Sequence, residues 1–520
     1  MLDQNKNPIE IAESGSHEDV KKALQKMVKV DRRVISRKET VGYMLFDASA
    51  GFNIDGQEEL FVDSILKISL KKQSIYNIFG GIWDVIDDFV IGGIVEKTRT
   101  RWGKFVPYIF MVGVPYAILV GLYWLLPFLF SAEHVNNMDY MPKFIAYIVF
   151  KMLIETVNNF KTVATSGYLS TITPYPSDRR RLLSVAKYCN LFYAGLPNTI
   201  LEFMLDFITN DIIKSTEERS STDMIRLSLG ILGPFTAVVV GLVCIWYGTM
   251  AHERVHQSVN SPKIGESLRV VFTNRPVLVY MISNALSSFG TGISTNNYYR
   301  WVLFMTTFET FAGIPSVFFQ PIGYSKYNKL ASKYSTKTLY MLSKSIPKGM
   351  YIPLFLFGLL FKTKDGSRLF TNRWAMLPVT AVWEIIYASF QGIGAVSGDE
   401  IVNECNDYIE WKTGCRNEAL LSVASTVMCK IPNRVNEIFK PMFKEWIGYD
   451  QLAYTEKRPQ TEHAQKWIFG MATVIPGLLA ITSLLPMLAY NIDKDTRDKM
   501  YRELNESRVA HADAVNAMSE

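Results

Sequence analysis

The chain has 520 residues, of which 48% are hydrophobic and only 20% are charged. Soluble domains carry about 25% charged residues, so this composition argues against a soluble enzyme, a disordered chain and a fibrous repeat. The net charge of +6 is small and spread along the sequence, so we expect no nucleic-acid partner. The five cysteines have no C-x-x-C spacing and indicate neither a disulfide framework nor a cysteine metal site.

Apolar segments separated by polar breaks recur along the chain and predict an all-α membrane protein, because about 20 apolar residues span a bilayer. Residues 1–40 lack the apolar core of a signal peptide, so the first apolar segment must itself direct insertion. That segment is the weakest, since it holds five acidic residues, whereas residues 105–130 hold no charge. The twelve predicted transmembrane helices lie near 41–66, 74–95, 105–130, 143–172, 182–208, 225–249, 277–304, 308–326, 336–361, 373–403, 417–442 and 466–490.

The distribution of Lys and Arg predicts the orientation of these helices. The termini and the loops on their side hold 34 Lys and Arg residues, whereas the opposite loops hold 14. By the positive-inside rule, both termini are cytosolic. A polar break after the sixth span divides the helices into two groups of six, which resembles the major facilitator fold. The predicted regions are a cytosolic N-terminal segment, an N-terminal half, a cytosolic linker, a C-terminal half and a cytosolic tail, over 1–40, 41–249, 250–276, 277–490 and 491–520.

The second predicted span contains three carboxylates within five consecutive residues. Asp84 and Asp88 are four residues apart and share a helix face, and Asp87 lies close to that face. A carboxylate at the bilayer centre costs at least about 2.5 kcal/mol, so each needs a partner or a bound cation. The spacing leaves two interpretations open: a site for Na⁺ or a proton, or ion pairs with a neighbouring helix.

Two stretches resemble the glycoside–pentoside–hexuronide:cation symporters. Residues 82–108 carry the family's W-D-x-x-x-D helix and the following R-x-R-W-G-K loop, although the family's proline after the second aspartate is Phe89 here. Residues 407–430 (DYIEWKTGCRNEALLSVASTVMCK) resemble the family's D-Y-G-E-W-K-T-G-x-R-x-E segment, followed by a helical run that ends on a lysine. The resemblance covers about residues 41–505.

The resemblance implies a symporter that moves a glycoside with Na⁺ or H⁺ across the cytoplasmic membrane. It implies no cofactor other than the coupling ion and no partner other than the substrate and the lipid bilayer, and we expect a monomer. It carries the cation-binding role to Asp84 and Asp88, with Thr162 at the position of an acid in the fourth span. The remaining candidates are Lys187 and Lys430 for substrate, and Arg99, Arg101, Trp102 and Gly103 for a cytosolic gating loop.

Other positions depart from the family and keep alternatives open. Lys187 replaces a sugar-binding arginine, and Ala395 replaces an aromatic residue that stacks on sugar. The acid of the first span that grips sugar hydroxyls has no clear counterpart, although Asp47 lies one residue from one of the two possible positions. Lys430 could instead pair with a buried acid. The alternative is therefore a carrier of an anionic or lipid-like substrate. Its transport would not be coupled to a cation gradient if the permanent positive charge of Lys161 takes the place of the bound cation.

A third hypothesis comes from residues 252–256, which read H-E-R-V-H. This is the H-E-x-x-H signature of zinc peptidases, in which His252 and His256 would bind the metal. No third ligand is evident in the sequence, and the resembling family often ends its sixth helix on E-R-V. We therefore expect no metal site and no enzymatic activity.

Overall fold

The computed structural model describes residues 34–173, 176–213, 220–254, 272–413, 418–492 and 496–504. These residues are overwhelmingly helical and include two isolated β-bridges but no β-strand. The predicted all-α class is confirmed. The predicted linker lies largely outside the described residues, as do residues 1–33 and 505–520.

The helices of the predicted N-terminal half follow the apolar segments closely. A 3₁₀ turn at Asp55–Gln57 and a π turn at Phe61–Ile65 flank the short second helix. The helices are α1 (Arg37–Ser49), α2 (Glu58–Leu60), α3 (Leu70–Lys97), α4 (Val106–Leu129), α5 (Ala132–Asn136), α6 (Met141–Thr171), α7 (Pro176–Tyr193), α8 (Leu196–Thr209) and α9 (Ser221–Met250).

The predicted C-terminal half contains more interruptions. Short 3₁₀ turns lie at Leu369–Thr371 and Pro486–Ala489, and residues 496–504 are helical. The helices are α10 (Arg275–Ser287), α11 (Thr295–Trp301), α12 (Phe308–Ala312), α13 (Ile314–Ala331), α14 (Thr336–Gly349), α15 (Tyr351–Leu360), α16 (Arg373–Thr413), α17 (Glu418–Trp446), α18 (Glu462–Ala472) and α19 (Val474–Thr482).

Four segments of the described chain are long and apolar enough to cross a membrane by length and composition, namely α4, α9, most of α16 and residues 462–489. The other predicted spans are shorter, broken or richer in charge. The structure therefore gives several apolar spans, and the count of twelve stays a prediction.

Two helices differ from their predicted bounds for identifiable reasons. The first predicted span is interrupted, because α1 ends at Ser49 and the chain resumes helical turns only at Asp55. In contrast, α16 continues about ten residues beyond its predicted end, to Thr413, because no glycine or proline stands between residues 399 and 413. At 1.5 Å per residue this helix is about 60 Å long.

The two predicted halves are joined on the predicted outer side. The Glu59 carboxylate forms ion pairs with Lys440 Nζ at 2.8 Å and with Lys444 Nζ at 2.5 Å. Lys444 Nζ also lies 2.6 Å from Asp63 Oδ2. Nearby, the carboxylate of Asp206 accepts hydrogen bonds from the backbone N–H groups of residues 306 and 307 at 2.6 and 2.9 Å. These contacts tie the two predicted halves together, and we expect them to close the outer side.

Candidate functional site

The middle of α3 faces the middle of α17 through charged side chains. Asp84 Oδ2 lies 2.9 Å from Arg434 Nη2 and 3.5 Å from Lys430 Nζ. Lys430 also forms an ion pair with Asp88. Because both the acids and the bases are four residues apart, each pair occupies one face of its helix. The predicted cation pair and Lys430 therefore meet in one cluster, and they meet across the two predicted halves.

Burial differs within this cluster. Asp84 is only 6% exposed, whereas the side chains of Asp88 and Lys430 are 35% and 37% exposed. The inner ion pair with Arg434 is thus shielded, and the outer pair faces open space. A ligand or ion could reach the Asp88–Lys430 pair without first displacing Arg434.

Helix α6 supplies neutral hydrogen-bond donors to the same acids. Asn159 Nδ2 lies 2.9 Å from Asp87 Oδ2 and 3.4 Å from Asp84 Oδ1, and Thr156 Oγ1 donates to Asp87 Oδ1 at 3.1 Å. Trp83 Nε1 in turn donates to Thr156 Oγ1 at 3.3 Å. The third carboxylate of the second span, Asp87, is therefore held by uncharged groups.

Thr162 is not among these donors. Thr162 is exposed, and within the described part of α6 no hydrogen bond joins it to the aspartates. Thr156 and Asn159, six and three residues earlier, are the residues of α6 that donate hydrogen bonds to the aspartates. Counting back from the end of the helix missed them, whereas a T-x-x-N pattern opposite the carboxylates could have identified them.

Lys187 lies in a second polar group, between α1 and α7. Its Nζ is 3.9 Å from Asp47 Oδ2, and its side chain is 72% exposed. Asn190 Nδ2 donates to the same Asp47 oxygen at 2.9 Å. The packing of α1 against α7 thus brings Asp47 to Lys187 and Asn190.

Lys161 does not reach the aspartate pair. Its ammonium group instead lies over the rings of Phe46 and Tyr116, at 5.8 and 5.4 Å from their centroids. The positive charge beside Asp84 and Asp88 comes from Lys430 and Arg434. Arg434 is a functional candidate that the sequence analysis did not identify.

The predicted gating loop forms a tight turn between α3 and α4. Thr100 and Gly103 exchange backbone hydrogen bonds at 3.2 and 3.1 Å, and Gly103 has φ +110°. A Cβ at Gly103 would collide with the carboxyl group of Glu253, so both backbone and space require glycine here. In the same loop, the Arg101 guanidinium stacks 4.5 Å from the ring of Trp102, and Arg99 Nη1 donates to the carbonyl of Thr98 at 2.8 Å.

The H-E-x-x-H residues that the structure describes have structural roles. Glu253 accepts hydrogen bonds from the first N–H groups of α4, at 2.6 Å from Phe105 and 3.0 Å from Val106. His252 Nδ1 lies 2.8 Å from the carbonyl oxygen of Met250, and His256 lies outside the described residues. Among the described residues, no cluster of three His, Cys, Asp or Glu could hold a metal ion.

The same segment also fastens α1. Arg254 forms a bidentate ion pair with Glu39 at 2.8 and 2.6 Å. This partner raises the pKa of the Arg254 guanidinium above its ordinary value. In the predicted C-terminal half, Trp411 Nε1 similarly donates to Glu503 at 2.6 Å and fastens the helical residues 496–504.

Comparison with known proteins decides the family. The model of a family described as MFS/sugar transport protein matches residues 40–494. The chain belongs to this family. This MFS protein is a membrane transporter and not an enzyme, and its resemblance to the glycoside–pentoside–hexuronide:cation symporters is confirmed.

Individual relatives of this MFS transporter are distant but match over most of its length. The uncharacterized symporter YnaJ of Bacillus subtilis is 21% identical over 94% of this chain and 99% of its own. The isoprimeverose transporter of Lactiplantibacillus pentosus is 21% identical over 92% of this chain and 93% of its own. A lactose permease of Lactobacillus delbrueckii is 21% identical over 86% of this chain and 65% of its own.

Proposed function

We propose that this transporter moves a glycoside across the cytoplasmic membrane together with Na⁺ or H⁺. The observation that carries the proposal is the cluster in which Asp84 and Asp88 meet Lys430 and Arg434. Charged groups are costly inside a membrane and mark substrate and ion pathways. The names of the relatives, an isoprimeverose transporter and a lactose permease, support a sugar as the substrate.

Coupling follows from competition for the aspartates. A Na⁺ ion or proton that binds Asp88 takes the place of the Lys430 ammonium group. Lys430 is then released to donate hydrogen bonds to substrate, and one link between α3 and α17 is lost. Because the cation neutralises Asp88 and the substrate takes up the freed Lys430, each compensates the partner that the other has lost, and cation and substrate bind most favourably together. Their joint binding shifts the balance between the two orientations of the halves.

Polar groups of both halves suit a hydroxyl-rich substrate. In the N-terminal half, Asp47 accepts a hydrogen bond from Asn190 and the exposed Lys187 ammonium group lies nearby, so acceptor and donor groups for sugar hydroxyls are both present. In the C-terminal half, the half-exposed Lys430 supplies a donor. We infer that the glycoside binds between these two groups, near the middle of the membrane.

The test is transport into proteoliposomes that contain the purified protein. Radiolabelled isoprimeverose, lactose and a glucuronide are offered with an inward Na⁺ gradient, an inward proton gradient or neither. Accumulation above the outside concentration with one gradient supports coupled transport, and its collapse by the matching ionophore identifies the ion. If no sugar enters faster than into empty liposomes, the sugar assignment is wrong.

One observation favours an uncoupled second candidate. Lys430 and Arg434 already place two fixed positive charges at the aspartates, as a bound cation would. In that case the protein would carry an anionic substrate only down its own concentration gradient, and neither the Na⁺ gradient nor the proton gradient would change the uptake. Equal entry of a glucuronide with and without ionophores, and no accumulation of any sugar, distinguishes this candidate from symport.

A further inference from the structure

A groove of about 960 Å³ lies at the predicted cytosolic end of α4 and α9, away from the charged cluster between the halves. The loop that joins α3 to α4 forms one wall, and the ends of the two helices form the floor. The lining combines cations with apolar groups. The residues used below are Arg99, Arg101, Trp102, Lys104, Phe110 and Met111.

The floor of the groove continues into an apolar surface. Helix α4 exposes Met111, Val114, Ile118 and Leu122, which follow one another at intervals of three or four residues. Helix α9 exposes a similar stripe of large apolar side chains, residues 231, 235, 238, 242 and 246. Such stripes on apolar helices of membrane-spanning length face lipid. The groove therefore opens where this lipid-facing surface ends.

The wall of the groove is basic and aromatic. Arg99 and Arg101 are exposed, and Lys104 completes a cluster of three cations. The acid that lines the groove, Glu253, accepts backbone hydrogen bonds with both of its carboxylate oxygens. Trp102 is 59% exposed beneath the Arg101 guanidinium. A tryptophan and arginines at the end of apolar helices are typical of the membrane–water interface.

We propose that this groove binds an anionic glycerophospholipid, of the phosphatidylglycerol kind. Arg99 and Arg101 bind the phosphate, and an acyl chain lies over Phe110 and Met111. Guanidinium groups hold phosphate oxygens through bidentate hydrogen bonds, and the cluster of cations favours a headgroup of net negative charge over a zwitterionic one, whose choline cation it repels. The apolar floor selects a lipid over a free phosphate, since a small ion would leave Phe110 and Met111 in water. The site is independent of which substrate is transported.

The test is native mass spectrometry of the purified protein with equimolar phosphatidylglycerol and phosphatidylcholine. We expect preferential retention of phosphatidylglycerol. The double variant Arg99→Gln/Arg101→Gln should reduce this preference by about thirtyfold, because it removes two interfacial cations that contribute about 1 kcal/mol each, and about 1.4 kcal/mol is a factor of ten. The matched control, Lys362→Gln/Lys364→Gln, removes the same charge from an exposed loop at the other end and should retain the wild-type preference.

Two further arms keep the result interpretable. Met111→Gln leaves the cations intact and should weaken retention of phosphatidylglycerol through the floor alone. Arg101→Gln by itself should lower the preference less than the double variant, and it serves if the double variant does not fold. Excess glycerol phosphate should not displace the lipid. Equal retention of the two lipids, an unchanged preference in both arginine variants, or displacement by glycerol phosphate would each overturn the lipid site.

Discussion

Arg434 Nη2 of α17 lies 2.9 Å from Asp84 Oδ2 of α3, so an internal cation occupies a carboxylate that the family pattern assigns to the coupling ion. Because Asp84 is buried, this contact fixes the charge that the carboxylate presents to any incoming cation. Under the proposed coupling, the strength with which Na⁺ or H⁺ binds should therefore depend on a residue in the other predicted half of the protein.

Replacing Arg434 by glutamine should make the protein more dependent on a free cation. The substitution removes the closest basic partner of the buried Asp84 and leaves Lys430 at 3.5 Å, so the loss of stability should be smaller than the roughly 3–5 kcal/mol of a buried ion pair that loses its partner entirely. We expect a lower Tm in sodium-free buffer and a larger stabilisation by NaCl than in the wild type. Arg434→Lys keeps the charge and should resemble the wild type. An equal response of Arg434→Gln and wild type to NaCl, against choline chloride, contradicts this role.

Asp88→Asn should abolish gradient-driven accumulation while downhill exchange of substrate continues. A neutral amide cannot take up the coupling charge, yet it leaves Lys430 available to substrate. The measurement is uptake under an imposed gradient, beside counterflow without one. Asp139→Asn is the control, because Asp139 is 84% exposed and pairs with Lys72 at the surface. If Asp88→Asn accumulates substrate like the wild type, transport is not coupled through this residue.

Lys444→Met should open the predicted outer side. The Lys444 side chain is 2% exposed between Glu59 and Asp63, and its loss leaves the buried Asp63 without its ion-pair partner, at a cost of about 3–5 kcal/mol, while Glu59 keeps Lys440. Cys429, beside Lys430, should then react faster with a membrane-impermeant thiol reagent added outside. Cys429→Ala in the same background removes this signal. Lys457→Met breaks an ion pair with the exposed Asp211 and should increase labelling far less. Unchanged labelling in Lys444→Met would refute the closure.

Gly103→Ala should destabilise the protein more than Gly366→Ala. Both glycines have positive φ, +110° and +81°, which costs an L-residue about 1–2 kcal/mol. Only at Gly103 does a Cβ also collide, with the Glu253 carboxyl group, whereas nothing lies within 4 Å of a Cβ at Gly366. Thermal unfolding of both variants measures the difference. Equal decreases in Tm would show that the loop accommodates the added methyl group at residue 103 without a further loss of stability.

Glu253→Gln should lower stability by about 1–2 kcal/mol, because the amide has one acceptor oxygen where the carboxylate caps the first turn of α4 with two. Zinc should not alter the Tm of either form. Chelator-sensitive stability of the wild type would restore the metal hypothesis for His252.

The sequence predicted many of the helices and three of the four residues of the charged cluster, Asp84, Asp88 and Lys430. Residues 105–130 carry no charge and became α4, and the four-residue spacing of Asp84 and Asp88 placed them on one face. Arg434 was not predicted, because its proximity to Asp84 arises from packing between helices about 350 residues apart in sequence. The interruption of the first span was also not predicted. Mean hydropathy is taken over the whole segment and does not show a short break, and this break is fixed by tertiary contacts.

The ion pair between Asp63 and Lys444 joins residues that are 381 positions apart. At a synthesis rate of about 5–20 residues per second, roughly 20–80 s pass between the appearance of this aspartate and that of its lysine at the ribosome. During this interval the nascent first span is in contact with water or with the insertion machinery, and α17 is not yet available to neutralise its acidic residues. The link between this segment and α17 is consequently among the last contacts to form, although its aspartate is among the first residues translated.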